Sequence, residues 1–195
     1  MPEHPIDKSA LRRELRGRRD AVDTAVRDAA ARSAASLLAE FTDWPGLRSL
    51  AIYLPRGGEF DTGAICELAR EQDKQLYLPV LMPGNRLDFA LWRPGDALIP
   101  NRFDIPEPGP AAPRQSPDDI DLVCMPLMGW TSGGDRLGMG GGYYDRTLAQ
   151  CSSVKLGLGF ELQRCEDLIP EPWDVRMDYV LTESALYRCQ GGDDG

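Results

Sequence analysis

Hydrophobic positions along this chain change their spacing several times, and each change predicts a new element. The first helical repeat covers residues 7–20, where Leu11 and Leu15 form an apolar stripe beside charged positions. Further helices are predicted over residues 24–41, 63–74 and 143–150, with Asp23 or Thr24 and Asp61 or Thr62 as the expected caps of the first two. Apolar or alternating runs predict strands over residues 47–54, 75–81, 86–92, 120–128, 155–160 and 179–183.

The order of these elements predicts the fold class. Helices alternate with strands, and strands that are apolar on both faces are typical of a parallel sheet covered by helices. We therefore predict a three-layer α/β/α fold with a mostly parallel sheet, in a single domain over residues 1–195. Residues 104–118 contain five prolines and predict an irregular surface loop. We expect residues 1–6 and 190–195 to be disordered.

The stretch from Gly129 to Gly142 stands apart because 7 of its 14 residues are glycine. It lies between a predicted strand and a predicted helix, where backbone N–H groups and the helix dipole favour phosphate. Each ordered glycine costs about 0.5–1 kcal/mol relative to alanine, so a backbone that approaches a ligand explains the stretch better than a plain loop does. The stretch contains neither G-x-x-x-x-G-K-[ST] nor G-x-G-x-x-G.

Composition narrows the classes of function. The chain carries 31 acidic and 22 basic residues, a net charge of −9, which disfavours nucleic acid and anionic membrane as partners. Its five cysteines form no C-x-x-C pair, so we expect reduced thiols in a cytoplasmic protein. His4 is the only histidine, which excludes a Ser-His-Asp triad, a Cys-His dyad and a multi-histidine metal site.

The first predicted helix has a basic face. Lys8, Arg12 and Arg16 are spaced four apart, and six bases and one acid stand from Lys8 to Arg19. From the residues alone, a solvated charged face is the better interpretation, and a surface for a polyanion is the alternative. Glu59 is also open to two interpretations, as an acid favoured at a helix start or as a ligand contact.

The string RLGMGGGYYDR, from Arg136 to Arg146, resembles the signature of the 5-formyltetrahydrofolate cyclo-ligase family. Three other segments resemble this family in order: Lys8–Arg12, Leu54–Thr62 and Asp174–Glu183. The resemblance implies an ATP- and Mg²⁺-dependent ligase that converts 5-formyltetrahydrofolate to 5,10-methenyltetrahydrofolate and releases ADP and phosphate. It also implies an architecture similar to that of sugar-phosphate isomerases and CoA-transferases.

The resemblance also implies the site residues. Arg136 and Asp145 are the expected catalytic residues, and Asp145 and Asp174 the expected Mg²⁺ ligands. The expected ATP contacts are Lys8, Arg12, Arg136, Leu137, Gly138, Gly140, Gly141, Gly142, Tyr143 and Tyr144. The expected folate contacts are Leu54, Glu59, Met139, Gly140, Gly141, Gly142 and Tyr143. The expected partners are the reduced folate and ATP, bound by a monomer, with no nucleic acid and no membrane.

The chain departs from the family pattern at Met139, where many relatives carry an aromatic or basic residue, and at Trp173, where many carry histidine. Other interpretations stay open: Asp145 could stabilise a helix start, and Tyr143 and Tyr144 could be core aromatics. The competing functions are a non-catalytic folate- or nucleotide-binding protein on the same scaffold and, by fold analogy alone, a sugar-phosphate isomerase or CoA-transferase.

Overall fold

A computed structural model describes residues 7–189, and the two termini that we expect to be disordered lie outside this range. The helices within it are α1 (Lys8–Asp20), α2 (Thr24–Ala39), α3 (Gly63–Glu71) and α4 (Tyr143–Leu148). The strands are β1 (Ser49–Ala51), β2 (Gln75–Met82), β3 (Arg86–Leu91), β4 (Leu98–Pro100), β5 (Pro106–Pro108), β6 (Arg114–Gln115), β7 (Leu122–Pro126), β8 (Gly129–Trp130), β9 (Arg136–Leu137), β10 (Val154–Leu158), β11 (Tyr179–Leu181) and β12 (Leu186–Arg188).

The main sheet has eight strands in the order β12-β11-β10-β7-β1-β2-β3-β6. The five strands from β11 to β2 run parallel. Antiparallel pairings of β12 with β11, β3 with β2 and β6 with β3 extend the two edges. The prediction of a mostly parallel α/β sheet is therefore confirmed. Two small sheets, β4-β5 and β8-β9, stand apart from it.

Successive residues of the central strands enter two different cores, as expected for strands that are covered on both faces. Leu50 packs in a cluster with Ala34 and Leu38 of α2 and with Ile65 of α3. Ala51, the next residue, belongs to the opposite cluster, which is closed by Leu148 of α4. A third, small cluster holds Leu15 of α1 against Met128, Leu137 and Leu168. Helix α1 is thus attached to the loops at the end of the sheet and not to its face.

Several predicted elements are too long. The strand predicted over residues 47–54 is paired only over Ser49–Ala51, because the chain leaves the sheet to form a loop. The helix predicted to residue 74 ends at Glu71; Asp73 adopts φ +55° and Lys74 N–H donates to Ala69 O at 2.9 Å, which closes the helix end. The helices predicted to residues 41 and 150 end at Ala39 and Leu148.

The prediction of an irregular loop over residues 104–118 is wrong at two points, because β5 and β6 lie within it. Pro106 and Pro108 lie in β5, an edge strand that pairs only with β4 and so tolerates residues without an N–H donor.

All five cysteines are free thiols. Within residues 7–189, every helix is too short or too polar to cross a bilayer.

A stability test follows from two glycines in contrasting surroundings. A Cβ at Gly157 in β10 would overlap the Met177 sulfur and lie 2.9 Å from Leu127 Cδ2. We expect Gly157→Ala to lower the free energy of unfolding by about 1–3 kcal/mol through overpacking. Gly17 in α1 has no atom within 4 Å of its Cβ position, so Gly17→Ala should stabilise by about 0.5–1 kcal/mol.

Urea unfolding of both variants beside the wild type, followed by circular dichroism, measures the two changes. Equal midpoints for Gly157→Ala and the wild type would contradict the packing described around β10.

Candidate functional site

A cleft of about 1280 Å³ lies beyond the carboxyl ends of the central strands. In open α/β sheets this is the edge at which ligands bind. Every residue that the sequence analysis assigned to a site lines this one cleft: Lys8, Arg12, Leu54, Glu59, Arg136, Leu137, Gly138, Met139, Gly140, Gly141, Gly142, Tyr143, Tyr144, Asp145 and Asp174. Residues that are far apart in the chain therefore meet at one edge of the sheet.

The glycine segment, residues 138–142, joins β9 to α4 and forms one wall of the cleft. Gly140 and Gly142 adopt φ of +97° and +67°, a region that side chains disfavour. A Cβ at Gly138 would lie 2.9 Å from Arg136 Nη1, and one at Gly141 would lie 2.8 Å from the Tyr143 ring. These positions need glycine both for the backbone turn and for the close approach of neighbouring side chains.

Arg136 and Asp145 form a buried ion pair beside the glycine segment. The Arg136 side chain is only 5% exposed, and its Nη2 donates to Asp145 Oδ1 at 2.8 Å. The same Oδ1 accepts the Val175 N–H at 3.2 Å. Among residues 7–189, Arg136 Nε has no hydrogen-bond partner. This nitrogen is also buried, so it can meet a ligand oxygen only if its surroundings shift.

Helix α1 brings two cations to the cleft. Asp7 caps this helix by accepting the Ser9 N–H at 2.9 Å. Arg12 Nε donates to Gly138 O at 2.8 Å, and Lys8 Nζ lies 3.5 Å from Asp174 Oδ2. The basic face is therefore more than a solvated surface, although Arg16 on the same face is exposed.

The two carboxylates expected to hold a metal both border the cleft. Asp174 Oδ2 accepts the Glu171 N–H at 2.9 Å as well as the Lys8 contact. Within residues 7–189, there is no group of three or more His, Cys, Asp or Glu side chains that could hold a metal ion by themselves. Two carboxylates can still hold Mg²⁺ when phosphate oxygens and water complete the shell, and Asp145 Oδ2 makes no hydrogen bond to the described residues.

The opposite side of the cleft begins at the loop after β1, which carries Leu54 and Glu59. Glu59 Oε2 accepts the Arg56 N–H at 2.9 Å. Burial raises the pKa of Glu59, and the Arg56 hydrogen bond and the charge of Arg19 oppose that rise. Of the two expected caps of α3, Thr62 occupies the N-cap position but its hydroxyl donates to the Tyr53 carbonyl, and Asp61 Oδ1 accepts the Gly63 N–H at 2.7 Å.

Tyr143 and Tyr144 stand between these two sides and are both partly exposed to the cleft. Tyr143 makes an edge contact with Phe103, with ring centroids 6.3 Å apart. Burial of its hydroxyl raises the pKa of Tyr144. Met139 and Trp173, the two departures from the family pattern, are 48% and 69% exposed.

Sequence reasoning missed Arg86 and Phe103, which border the cleft, and Asn85 and Arg102, which donate to the Gly141 carbonyl and the Tyr143 hydroxyl of its wall. Arg146 stands at the end of the glycine-rich string, so a signal for it was present, but no role was assigned to it. The others lie in segments without a motif, and only the packing of the β2–β3 turn and the loop after β4 brings them to the site.

Comparisons with known proteins agree with this geometry. The sequence model of the 5-formyltetrahydrofolate cyclo-ligase family matches residues 5–183. The chain is 36% identical over 140 residues to the 5-formyltetrahydrofolate cyclo-ligase of Haemophilus influenzae, covering 69% of this chain and 75% of that protein. It is 30% identical over 190 residues to the enzyme of that name from Mycolicibacterium smegmatis, covering 91% and 94%.

Solved structures give the same result. The NMR structure of Aquifex aeolicus 5,10-methenyltetrahydrofolate synthetase superposes with a TM-score of 0.84 at 28% identity, covering 97% of this chain and 96% of that one. The 5,10-methenyltetrahydrofolate synthetase from Mycoplasma pneumoniae superposes with a TM-score of 0.75 at 25% identity, covering 91% and 99%. The chain belongs to the 5-formyltetrahydrofolate cyclo-ligase family.

Proposed function

We propose that this protein converts 5-formyltetrahydrofolate to 5,10-methenyltetrahydrofolate with hydrolysis of ATP to ADP and phosphate. The observation that carries the proposal is a single cleft that joins cations and a glycine segment to a half-buried carboxylate, Glu59. Family membership supports the reaction, and the cleft supplies groups suited to both substrates. As part of the same proposal, the enzyme acts in the cytoplasm on these small molecules.

We assign the ATP phosphates to the glycine segment. The absence of side chains at Gly138 and Gly140 to Gly142 allows phosphate oxygens to approach the backbone, with Leu137, Tyr143 and Tyr144 beside them. Lys8, Arg12 and Arg136 lie within reach to neutralise charge. Phosphoryl transfer depends mainly on positioning and charge stabilisation, so it needs no nucleophilic side chain and no histidine.

We assign Mg²⁺ to Asp145 and Asp174, with phosphate oxygens and water as its other ligands. The ion fits there because its preferred ligands are carboxylates, phosphates and water. When bound, it would neutralise charge on the transferring phosphoryl group. The two carboxylates also position cations, since Asp145 orients Arg136 through the 2.8 Å ion pair and Asp174 orients Lys8.

We assign the folate ring to the side of Leu54 and Glu59, with Met139, Gly140 to Gly142 and Tyr143 facing it across the cleft. A carboxylate can accept two N–H donors from the edge of a pterin ring, and such charge-assisted hydrogen bonds are strong. Glu59 is suited to this because the Arg56 N–H already fixes one of its oxygens.

The chemistry that these groups would support has two stages. The formyl oxygen attacks the γ-phosphorus of ATP, and the bond to ADP breaks. N10 of the folate then attacks the activated formyl carbon and loses its proton, and the C–O bond breaks to release phosphate. Arg136, which borders the cleft, would stabilise the charge that develops on the transferring group.

The first experiment measures the near-ultraviolet absorbance of the methenyl product. With purified protein, 5-formyltetrahydrofolate, Mg²⁺ and ATP, we expect a rise that is absent without ATP and without Mg²⁺. A flat trace from folded protein that binds the folate would instead support a non-catalytic binding protein on this scaffold.

We expect Asp145→Asn to lower kcat by about 100-fold or more, because one transition-state charge contact typically contributes that much. The asparagine Oδ1 can still accept from Arg136 and the Val175 N–H, but loss of the opposite charge beside the buried guanidinium should lower the free energy of unfolding, so urea unfolding must show that the variant is folded under the assay conditions. Steady-state kinetics measures the change, with Asp118→Asn as the control because Asp118 accepts the Ser152 N–H outside the cleft. Wild-type kcat in Asp145→Asn would remove Asp145 from the mechanism.

We expect the KM for the folate to rise as the pH falls through the pKa of Glu59, because only the carboxylate form accepts both donors. Burial raises this pKa, so the rise should begin at a higher pH than the ordinary glutamate value of about 4.3 allows. Glu59→Gln should raise KM at pH 7 and abolish this pH dependence. If Glu59→Gln keeps the wild-type KM profile, Glu59 does not bind the folate.

A further inference from the structure

A buried guanidinium at the end of α1 has no part in the reaction described above. The Arg19 side chain is only 4% exposed, and its Nε and Nη1 have no hydrogen-bond partner among residues 7–189. Its one ion pair within that range is with Asp20, whose Oδ1 lies 3.6 Å from Nε and whose side chain is 52% exposed. A cation at this depth destabilises the protein unless another negative charge compensates it, so its position needs a further explanation.

The surroundings of Gly58 show which part of the molecule Arg19 meets. A Cβ at Gly58 would lie 3.1 Å from Arg19 Nε and would overlap Asp20 Oδ1. Gly58 directly precedes Glu59, the carboxylate assigned to the pterin ring. Because Gly58 has no side chain, the end of α1 can pack against the loop that carries Glu59.

Arg27 in α2 fixes this contact between the helix and the loop. Its Nη1 donates to Gly58 O at 2.8 Å, and its Nη2 donates to Arg19 O. The third nitrogen, Nε, donates to Val22 O at 2.9 Å. A guanidinium is planar and presents its donors in fixed directions, so this one side chain sets the distance between the backbones of Arg19 and Gly58.

The base of the same loop is also held by hydrogen bonds. The Tyr53 hydroxyl donates to Phe60 O at 3.1 Å, and the Thr62 hydroxyl donates to Tyr53 O at 2.8 Å. Both hydrogen bonds are buried. Glu59 therefore stands in a loop that is attached both at its base and, through Arg27, to the end of α1.

The charged and titratable groups that act on Glu59 come from three elements. They are Arg19 of α1, Arg56 and Tyr53 of the loop region, and Tyr144 of α4. Burial raises the pKa of Glu59, and the Arg56 N–H hydrogen bond and the charges of Arg19 and Arg56 oppose that rise. Both tyrosines are neutral near pH 7. Because Arg56 is exposed, solvent screens its charge, whereas the charge of buried Arg19 is screened less.

We propose that Arg19 is a positioning residue for the folate, which acts through Glu59: its buried charge keeps this carboxylate ionised and so ready to accept the two pterin donors. Arg27 fixes the distance over which that charge acts. This inference rests on the proposed function, because it assumes that the pterin ring lies against Glu59.

The first variant is Arg19→Met, which keeps a long side chain and removes the charge. Loss of a nearby cation favours the protonated form of Glu59, so the KM for 5-formyltetrahydrofolate should begin to rise at a higher pH than in the wild type. At about pH 5.5 we expect this KM to be about threefold to tenfold above the wild-type value, and at about pH 8.5 the two should agree. The KM for ATP should stay unchanged throughout.

A double-mutant cycle shows whether Arg19 acts through Glu59. In the Glu59→Gln background no carboxylate remains to be protonated, so adding Arg19→Met should change the folate KM at either pH by less than about twofold. Arg19→Lys retains the positive charge and should restore the wild-type dependence of KM on pH. A role limited to packing would not produce this combination.

The matched control is Arg18→Met, which removes the same charge from the neighbouring, exposed position outside the cleft. It should keep the wild-type KM profile for both substrates. Urea unfolding must show that each variant is folded under the assay conditions. If Arg19→Met is not folded, Arg19→Gln takes its place, and the profile of Arg19→Lys tests the inference independently.

Four results would overturn the inference: a wild-type KM profile in the charge-removing variant, a rise in KM of the same size at every pH, an equal effect in the Glu59→Gln background, or failure of Arg19→Lys to restore the profile. If the wild type makes no methenyl product, the proposed function fails. Titration calorimetry with 5-formyltetrahydrofolate at the same two pH values then still decides the role of Arg19, because it requires no turnover.

Discussion

The site depends on how one buried guanidinium is neutralised. Arg136 is 5% exposed, and a charge at that depth destabilises the protein unless a partner of opposite charge is near. Asp145 supplies this partner from the first turn of α4, and the same oxygen holds the Val175 N–H. One carboxylate therefore joins the end of the β8–β9 hairpin, the start of α4 and the loop before β11. A side chain at Gly138 would displace this guanidinium, since Arg136 Nη1 lies 2.9 Å from its Cβ position.

Helix α1 spans the two sides of the cleft. At its beginning, Arg12 donates to Gly138 O in the glycine segment. At its end, Arg19 Nε lies 3.1 Å from the Cβ position of Gly58, in the loop that carries Glu59. The small cluster around Leu15 anchors the middle of this helix to the loops beneath it. Helix α1 therefore contacts both the segment assigned to ATP and the loop that carries Glu59.

The cleft has a different charge balance from the whole protein, since its lining has more cations than carboxylates. The protein as a whole is acidic, yet cations from α1, β3, β9 and α4 face the same space. Concentrating positive charge in a concave site raises the local potential and draws in anionic substrates, while the acidic remainder of the surface disfavours nonspecific binding to polyanions. Both substrates in the proposed reaction are anionic, which agrees with this arrangement.

Local patterns in the sequence determined much of this protein. The alternation of elements gave the α/β class, and the glycine-rich string identified the wall of the site, because backbone geometry at Gly140 and Gly142 is a local property. Tertiary structure alone decided the lengths of strands such as β1, since pairing depends on where a neighbouring strand ends. It also decided that Arg86 and Arg146 line the same cleft and that Arg102 contacts Tyr143, because sheet order and loop packing bring together residues that no sequence spacing relates.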